Sequence, residues 1–164
     1  MTPTSDGDSE ASWSDELVLT RTVHLERRLV WRLWTESRHL AAWWGPHDFT
    51  NPECSIDATP GGEMRILMRS AEGEEFLNVG TVKVADEPRT LVFSIALMNP
   101  DGSVRLENLT TVELEDRDLA TEVTVRVRVL RATPEATENL AGMRDGWSES
   151  LDRLAGLEKE GASR

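Results

Sequence analysis

Two histidines, His39 and His47, bracket the pair Trp43-Trp44, and two carboxylates, Asp48 and Asp57, follow them. Either histidine could pair with Asp48 or Asp57. A metal centre needs three converging ligands, commonly at a spacing such as His-Glu-x-x-His, and that spacing is absent. His39 is therefore open to a structural role, to a hydrogen bond at the mouth of a pocket, or to acting as a base. Asp57 stands just ahead of Thr59-Pro60-Gly61-Gly62. Its carboxylate either accepts backbone bonds from that turn or, if desolvated and aimed inward, serves as an acid. Cys54 lies between Glu53 and Ser55 with no adjacent His to stabilise a thiolate, and its parity with Ile56 reads as a buried spectator. Gly61-Gly62 lacks both the following helix and the Gly-Lys-Ser/Thr ending of a phosphate loop. Lys83 and Lys159 are the only lysines and tyrosine is absent, which leaves little scope for Schiff-base or phenolic chemistry. No catalytic residue, metal ligand or cofactor is assigned on these grounds.

The more informative set is apolar: Trp34, Trp43, Trp44, Phe49, Met64, Met68, Phe76, Phe93, Met98, Met143 and Trp147. Methionine adapts to irregular shapes and tryptophan adds a donor at an apolar wall, a combination suited to a soft ligand pocket. The same residues also make an ordinary core. Asn78 is the polar residue grouped with them, and His39, Asp57, Arg65 and Ser94 are weaker candidates for contacts that would orient a ligand. Parity does not decide whether Arg65 and Ser94 face inward.

Such residues meet only if the elements carrying them converge. Leu17, Leu19, Arg21 and Val23 alternate with Val18, Thr20, Thr22 and His24 and predict a first strand. Val30, Leu33 and Trp34 then fall on one helical face, and a second short helix follows with Ser37 as its cap, stopped by Gly45-Pro46. A run of hairpins comes next, with a type II turn at Thr59-Pro60-Gly61-Gly62 and further turns after Met68 and at Asn99-Pro100-Asp101-Gly102. In the final pair Val123, Val125, Val127 and Val129 alternate strictly with Thr124, Arg126 and Arg128, so one face is wet and one buried, as in an antiparallel sheet. Glu113 or Glu115 is the expected partner of Arg126 and Arg128. At Thr133-Pro134 the period changes, and Leu140, Met143, Trp147, Leu151 and Leu154 form a stripe. It predicts one helix from about 134 to 158, about 37 Å long at about 1.5 Å per residue, with Thr133 as N-cap. The class is α+β. About six to seven antiparallel strands curve around a long C-terminal helix, with two short helices after the first strand, because neither the sheet nor the helix can leave its apolar face in water.

The whole chain has 164 residues, enough for one domain with a substantial core. Residues 1–15 carry acids and no base and read as a disordered tail; the domain is expected over 16–159, with a loose end at 160–164. The net charge of −12 disfavours a sequence-independent grip on nucleic acid or on an anionic membrane. One cysteine excludes an internal disulfide, and no apolar run is long enough to cross a bilayer, so a cytoplasmic location is the expectation.

The order and spacing of several short motifs resemble one family. They are Arg21-Thr22, Val30-Trp31 with Trp34-Thr35, His39-Leu40 with Trp43-Trp44-Gly45-Pro46, Phe49-Thr50, Asp57 with Pro60-Gly61-Gly62, Gly80, Pro88 with Leu91-Val92-Phe93, and Gly146-Trp147 with Leu151-Asp152-Arg153-Leu154. Together they are similar to the START-like superfamily of polyketide cyclase/dehydrase and lipid-transport proteins, in the branch named after the activator of the 90-kDa heat-shock chaperone ATPase. The resemblance spans roughly residues 17–157 and implies a helix-grip (Bet v 1-like) fold with a cavity between sheet and terminal helix. Some relatives close rings, some carry lipids or hormones, and eukaryotic members of the branch bind a chaperone through an additional domain, which a chain of this length is not expected to contain. Many members begin the first helix with Asp-Ala-Pro, where this chain has His24-Leu25-Glu26.

Three functions stay open at this point. The leading one is a small-molecule-binding domain, monomer or homodimer, whose cavity takes a hydrophobic or aromatic ligand. The second is an enzyme of cyclase, dehydratase or hydrolase type using a cavity carboxylate and water. The third is a chaperone ATPase regulator.

Overall fold

A computed structural model describes residues 16–157. The expected tails at 1–15 and 160–164 lie outside the described residues. Seven strands, β1 (Leu17–Val23), β2 (Thr50–Ile56), β3 (Glu63–Arg69), β4 (Glu75–Asp86), β5 (Thr90–Met98), β6 (Val104–Arg117) and β7 (Ala120–Ala132), form one sheet in the order β1-β7-β6-β5-β4-β3-β2, every neighbouring pair antiparallel. Helices α1 (Arg27–Thr35) and α2 (Ser37–Trp43) stand between β1 and β2. After β7 come a 3-10 turn at Pro134–Ala136, α3 (Thr137–Ala141) and α4 (Met143–Gly156). This is the α+β helix-grip arrangement.

The period-two pattern sets the sheet's two faces. Val123, Val125 and Val127 are buried on the concave side while Arg126 and Arg128 turn outward, where Arg126 meets Glu113 at 3.4 Å. Each buried valine removes apolar area worth about 1.5–3 kcal/mol, and the solvated ion pair contributes little beside that. Phe93 and Ile95 from β5, Val112 and Leu114 from β6 and Met64 and Ile66 from β3 complete the concave wall. Against it pack Val30, Trp31 and Trp34 of α1, Leu40 and Trp43 of α2, and Leu151 and Leu154 of α4. Gly80 on β4 sits opposite Met64 and Ile95, and a Cβ there would overlap the Ser94 carbonyl, so only glycine lets β4 and β5 approach as they do. The hairpin turn at Thr59–Gly62 has Gly61 at φ +88° and a 2.7 Å bond from the Gly62 amide to the Thr59 carbonyl, the type II geometry read from Pro60-Gly61.

Four local expectations are corrected. The terminal helix is broken at Gly142 (φ −92°, ψ 2°) into α3 and α4 and starts as a 3-10 turn. The apolar stripe runs across the break because Leu140 and Met143 keep their spacing while the glycine between them does not hold helical geometry. Thr133 does not cap; its hydroxyl donates to the Arg105 carbonyl at 3.1 Å and ties the helix start to β6. Ser37 does not cap α2 either. It lies inside the helix and its Oγ accepts the Ile56 amide at 3.0 Å, fixing α2 to the inner end of β2. The Asp57 carboxylate takes the Thr59 hydroxyl at 2.9 Å instead of backbone amides of the turn.

Candidate functional site

A cavity of about 190 Å³ opens between α4 and the concave face of β3 to β6. Its floor is made by Met68 of β3, Asn78 of β4, Ile95 and Leu97 of β5, and Leu106 and Asn108 of β6. Asn139 of α3 and Met143, Gly146, Trp147 and Ser150 of α4 close it from above, and Trp44-Gly45-Pro46 forms its rim. The residues of α4 recur at steps of three and four, so a single helical face covers the space.

The rim is held by side chains from α4. Arg153 Nη1 donates to the carbonyls of Trp44 (3.0 Å), Gly45 (3.0 Å) and Pro46 (2.9 Å), and its Nη2 donates to that of Ala42 at 3.3 Å. Burial at this spot lowers the Arg153 pKa, opposed by the nearby Asp48 carboxylate, which favours the charged form. The His47 amide donates to Glu149 Oε1 at 3.0 Å, and Asn51 Nδ2 to the carbonyls of Ala41 and Trp44, both at 2.9 Å. Gly45 has φ +96°, a left-handed conformation that favours glycine, and the flexible Met68 methyl packs against it. On the other side Arg21 of β1 donates from Nη2 to the Ser148 carbonyl at 2.9 Å and Oγ at 3.0 Å and lies 3.2 Å from Asp152. Helix α4 is thus clamped along its length to both β1 and the rim.

Aromatic rings build one wall. Trp44 and Trp147 stand edge to face at 5.5 Å and 76°, forming a corner in which a flat molecule would stack on one ring and meet the other edge-on. Behind them Trp147 stacks on Trp34 at 6.4 Å and Trp34 meets Trp43 edge-on at 4.5 Å. The polar groups on the wall are all neutral. Asn78 Nδ2 donates to Met68 Sδ at 3.0 Å and to the Phe76 carbonyl at 3.4 Å, Asn108 Oδ1 accepts the Thr110 hydroxyl at 2.9 Å, and Ser150 Oγ donates to the Gly146 carbonyl at 3.0 Å.

Of the residues singled out from sequence, Trp44, Met68, Asn78, Met143 and Trp147 are brought together around this cavity. Trp34, Trp43, Met64 and Phe93 are instead fully buried in the core, with no face on the space. Phe49 and Phe76 pair with each other at 6.0 Å. Phe76 and Met98 border a second depression of about 470 Å³ at the ends of the β3–β4 and β5–β6 hairpins, beside Leu67, Leu77, Glu74 and Arg105. Among the weaker polar candidates, His39 Nε2 lies 3.3 Å from Glu36 Oε1, Asp57 and Arg65 are exposed, and Ser94 is buried with parity opposite to Phe93 and Ile95, on the convex side. None of the four lines the cavity. Arg65 lies 3.7 Å from Glu53. Cys54 is half-buried, and burial pushes its thiol up to about 11. No group of three His, Cys, Asp or Glu suited to a metal occurs among the described residues.

Sequence reasoning missed Asn108, Asn139 and Ser150. A signal for Asn108 existed: asparagine is depleted in strands, and this one shares inward parity with Leu106, Thr110 and Val112. Nothing comparable marks Asn139 in a short, exposed helix.

No curated protein matches the chain at a significant level. Solved structures do. A protein of Nitrosomonas europaea is 24% identical with a TM-score of 0.75, the match covering 91% of this chain and 97% of that one. A Rhodobacter sphaeroides protein is 26% identical over 88% of this chain and 92% of its own, with a TM-score of 0.71. The AHSA1 protein of Silicibacter pomeroyi is 21% identical over 87% of this chain and 96% of its own, with a TM-score of 0.74. The sequence profile described as "Activator of Hsp90 ATPase homolog 1-like protein" matches residues 24–158, from the end of β1 past α4 and so across every element that builds the cavity. The chain belongs to that family, the START-like branch its motifs resemble.

Proposed function

We propose that this protein binds a small, ring-containing molecule in the cavity beneath α4 and releases it chemically unchanged. The observation that carries the reading is the cavity itself, about 190 Å³ walled by Trp44, Trp147, Met68 and Met143. An apolar cavity of about 150 Å³ takes up benzene, and pockets for drug-sized ligands run to about 300–1,000 Å³. The space therefore suits one ring or two fused rings. A long acyl chain or a four-ring polyketide would need α4 to move.

The enzyme alternative loses its named residues, since Asp57, Arg65 and His39 lie away from the cavity and every lining residue is uncharged. The chaperone-regulator alternative rests on the family description alone. The test is a panel of one- and two-ring compounds at tens of micromolar, read by intrinsic tryptophan emission and by the melting midpoint, with mass analysis of the recovered compound. Binding should raise the midpoint as RT ln(1 + [L]/Kd) grows, and the compound should return intact. Failure of every compound would end the reading, and a chemically altered compound would replace it with the enzyme.

A further inference from the structure

The three asparagines at the cavity present a donor and an acceptor, and no ion. Asn78 commits its amide nitrogen to Met68 Sδ and the Phe76 carbonyl, which leaves Oδ1 as its remaining polar atom. Asn108 commits Oδ1 to the Thr110 hydroxyl, which leaves Nδ2. Thr110 is completely buried, so its hydroxyl fixes the rotation of the Asn108 amide from beneath. The two residues sit on β4 and β6 with β5 between them, on either side of a floor made by Ile95 and Leu97. Asn78 stands opposite Leu97 and Asn108 opposite Ile95, so two strand spacings of about 4.8 Å and an offset of about 7 Å along the strands put them about 12 Å apart at the backbone, on opposite sides of a bound ring. Asn139 adds a third neutral amide from α3.

This pairing discriminates by charge. A carboxylate can only accept, so it satisfies Asn108 Nδ2 and faces Asn78 Oδ1 with like polarity; an ammonium can only donate and leaves the Asn108 Nδ2 donor unanswered. Neither finds a counter-ion in the lining. The Arg153 guanidinium at the rim is already committed to four backbone carbonyls there. A carboxylate would also approach against a molecule of net charge −12. The cation–π attraction of Trp44 and Trp147 for an ammonium is small beside the cost of stripping its water without a paired carboxylate.

Resting on the proposed binding role, the geometry points to a ligand class: neutral, flat, one- or two-ring molecules carrying both a hydrogen-bond donor and an acceptor, such as a carboxamide, lactam or hydroxyl, with Asn78 and Asn108 as the residues that select it. Fatty acids, aromatic carboxylates and arylalkylammonium ions are excluded.

The experiment uses four probes of one shape on the full chain: 2-naphthamide, 2-naphthoate, 2-naphthylmethylammonium and 2-methylnaphthalene, at pH 7.5, with Kd from tryptophan emission. The amide should bind at least about a hundredfold more tightly than either ion, because an unpaired buried charge is far costlier than a paired amide. It should also bind about three- to tenfold more tightly than the hydrocarbon for each hydrogen bond made. In whichever of Asn78→Leu and Asn108→Leu removes the carboxamide's partner that second margin should fall, while 2-methylnaphthalene, which needs no polar partner, still binds. An ion within tenfold of the amide in the unmodified protein overturns the charge selection while leaving cavity binding in place. An undiminished amide preference in both variants, with hydrocarbon binding retained, overturns the assignment to Asn78 and Asn108. Binding of none of the four overturns the binding role and the ligand class together.

Discussion

Trp34 and Trp147 are stacked neighbours of identical chemistry, yet only one of them faces the cavity. Trp34 is 1% exposed and surrounded by packed side chains, so Trp34→Ala should cost about 3–5 kcal/mol through lost contacts and the void left behind. Trp147 already borders open space, and Trp147→Ala should cost about 1–3 kcal/mol while abolishing ligand binding. Denaturant melts of the two variants check this, and equal losses would mean that the space beside Trp147 is filled. The lone thiol gives a second residue-scale expectation. Burial holds the Cys54 pKa near 11 against an ordinary value of 9.0, so its thiolate population at pH 8 falls about a hundredfold and iodoacetamide should alkylate the folded protein correspondingly slowly. A raised folded-state pKa means that this contribution to stability is full below about pH 9 and is lost as pH climbs through about 11. Alkylation as fast in buffer as in urea would contradict the burial.

At the scale of elements, the device that shapes the site is the clasp between α4 and the Trp44–Pro46 rim. A planar guanidinium reaches three consecutive carbonyls and a fourth behind them, and a lysine ammonium in its place reaches fewer. Arg153→Lys should therefore lower stability by about 1–3 kcal/mol and speed ligand release. A variant with unchanged melting and unchanged release would show that the rim holds without the clasp. The elements themselves were legible in sequence where one rule dominates. Strict alternation in β7, the Pro60-Gly61 turn and the two short helices before Gly45-Pro46 were all readable, and the seven-stranded antiparallel sheet follows from them. What escaped is what hydrophobic spacing does not encode. Gly142 breaks the terminal helix without disturbing the stripe, and Ser37 and Thr133 spend their hydroxyls on tertiary bonds to Ile56 and Arg105 although both sit where caps are expected. The candidate site was half legible for a similar reason. Tryptophan and methionine mark the region, but whether Trp43 fills space or Trp44 borders it depends on the packing of four elements at once.

For the whole molecule, acidity and cavity are separate matters. The whole chain carries a net charge of −12, and on the described surface arginines pair with carboxylates, as in Arg117 with Glu115 and Glu122, both at 2.7 Å, while the lining beneath α4 carries no charge at all. No helix among the described residues is long and apolar enough to cross a membrane. The fold thus keeps a neutral, ring-sized space beneath α4 in an acidic molecule, the space proposed to hold a small molecule. The most direct test follows the indole N–H resonances of the six tryptophans by two-dimensional NMR during titration with 2-methylnaphthalene and 2-naphthamide, with assignment by single Trp→Phe variants. The Trp44 and Trp147 resonances should shift together and saturate at one Kd, while Trp31, which is buried on α1 and does not line the cavity, stays in place. Resonances of Trp44 and Trp147 that do not move with either compound would contradict binding in that space.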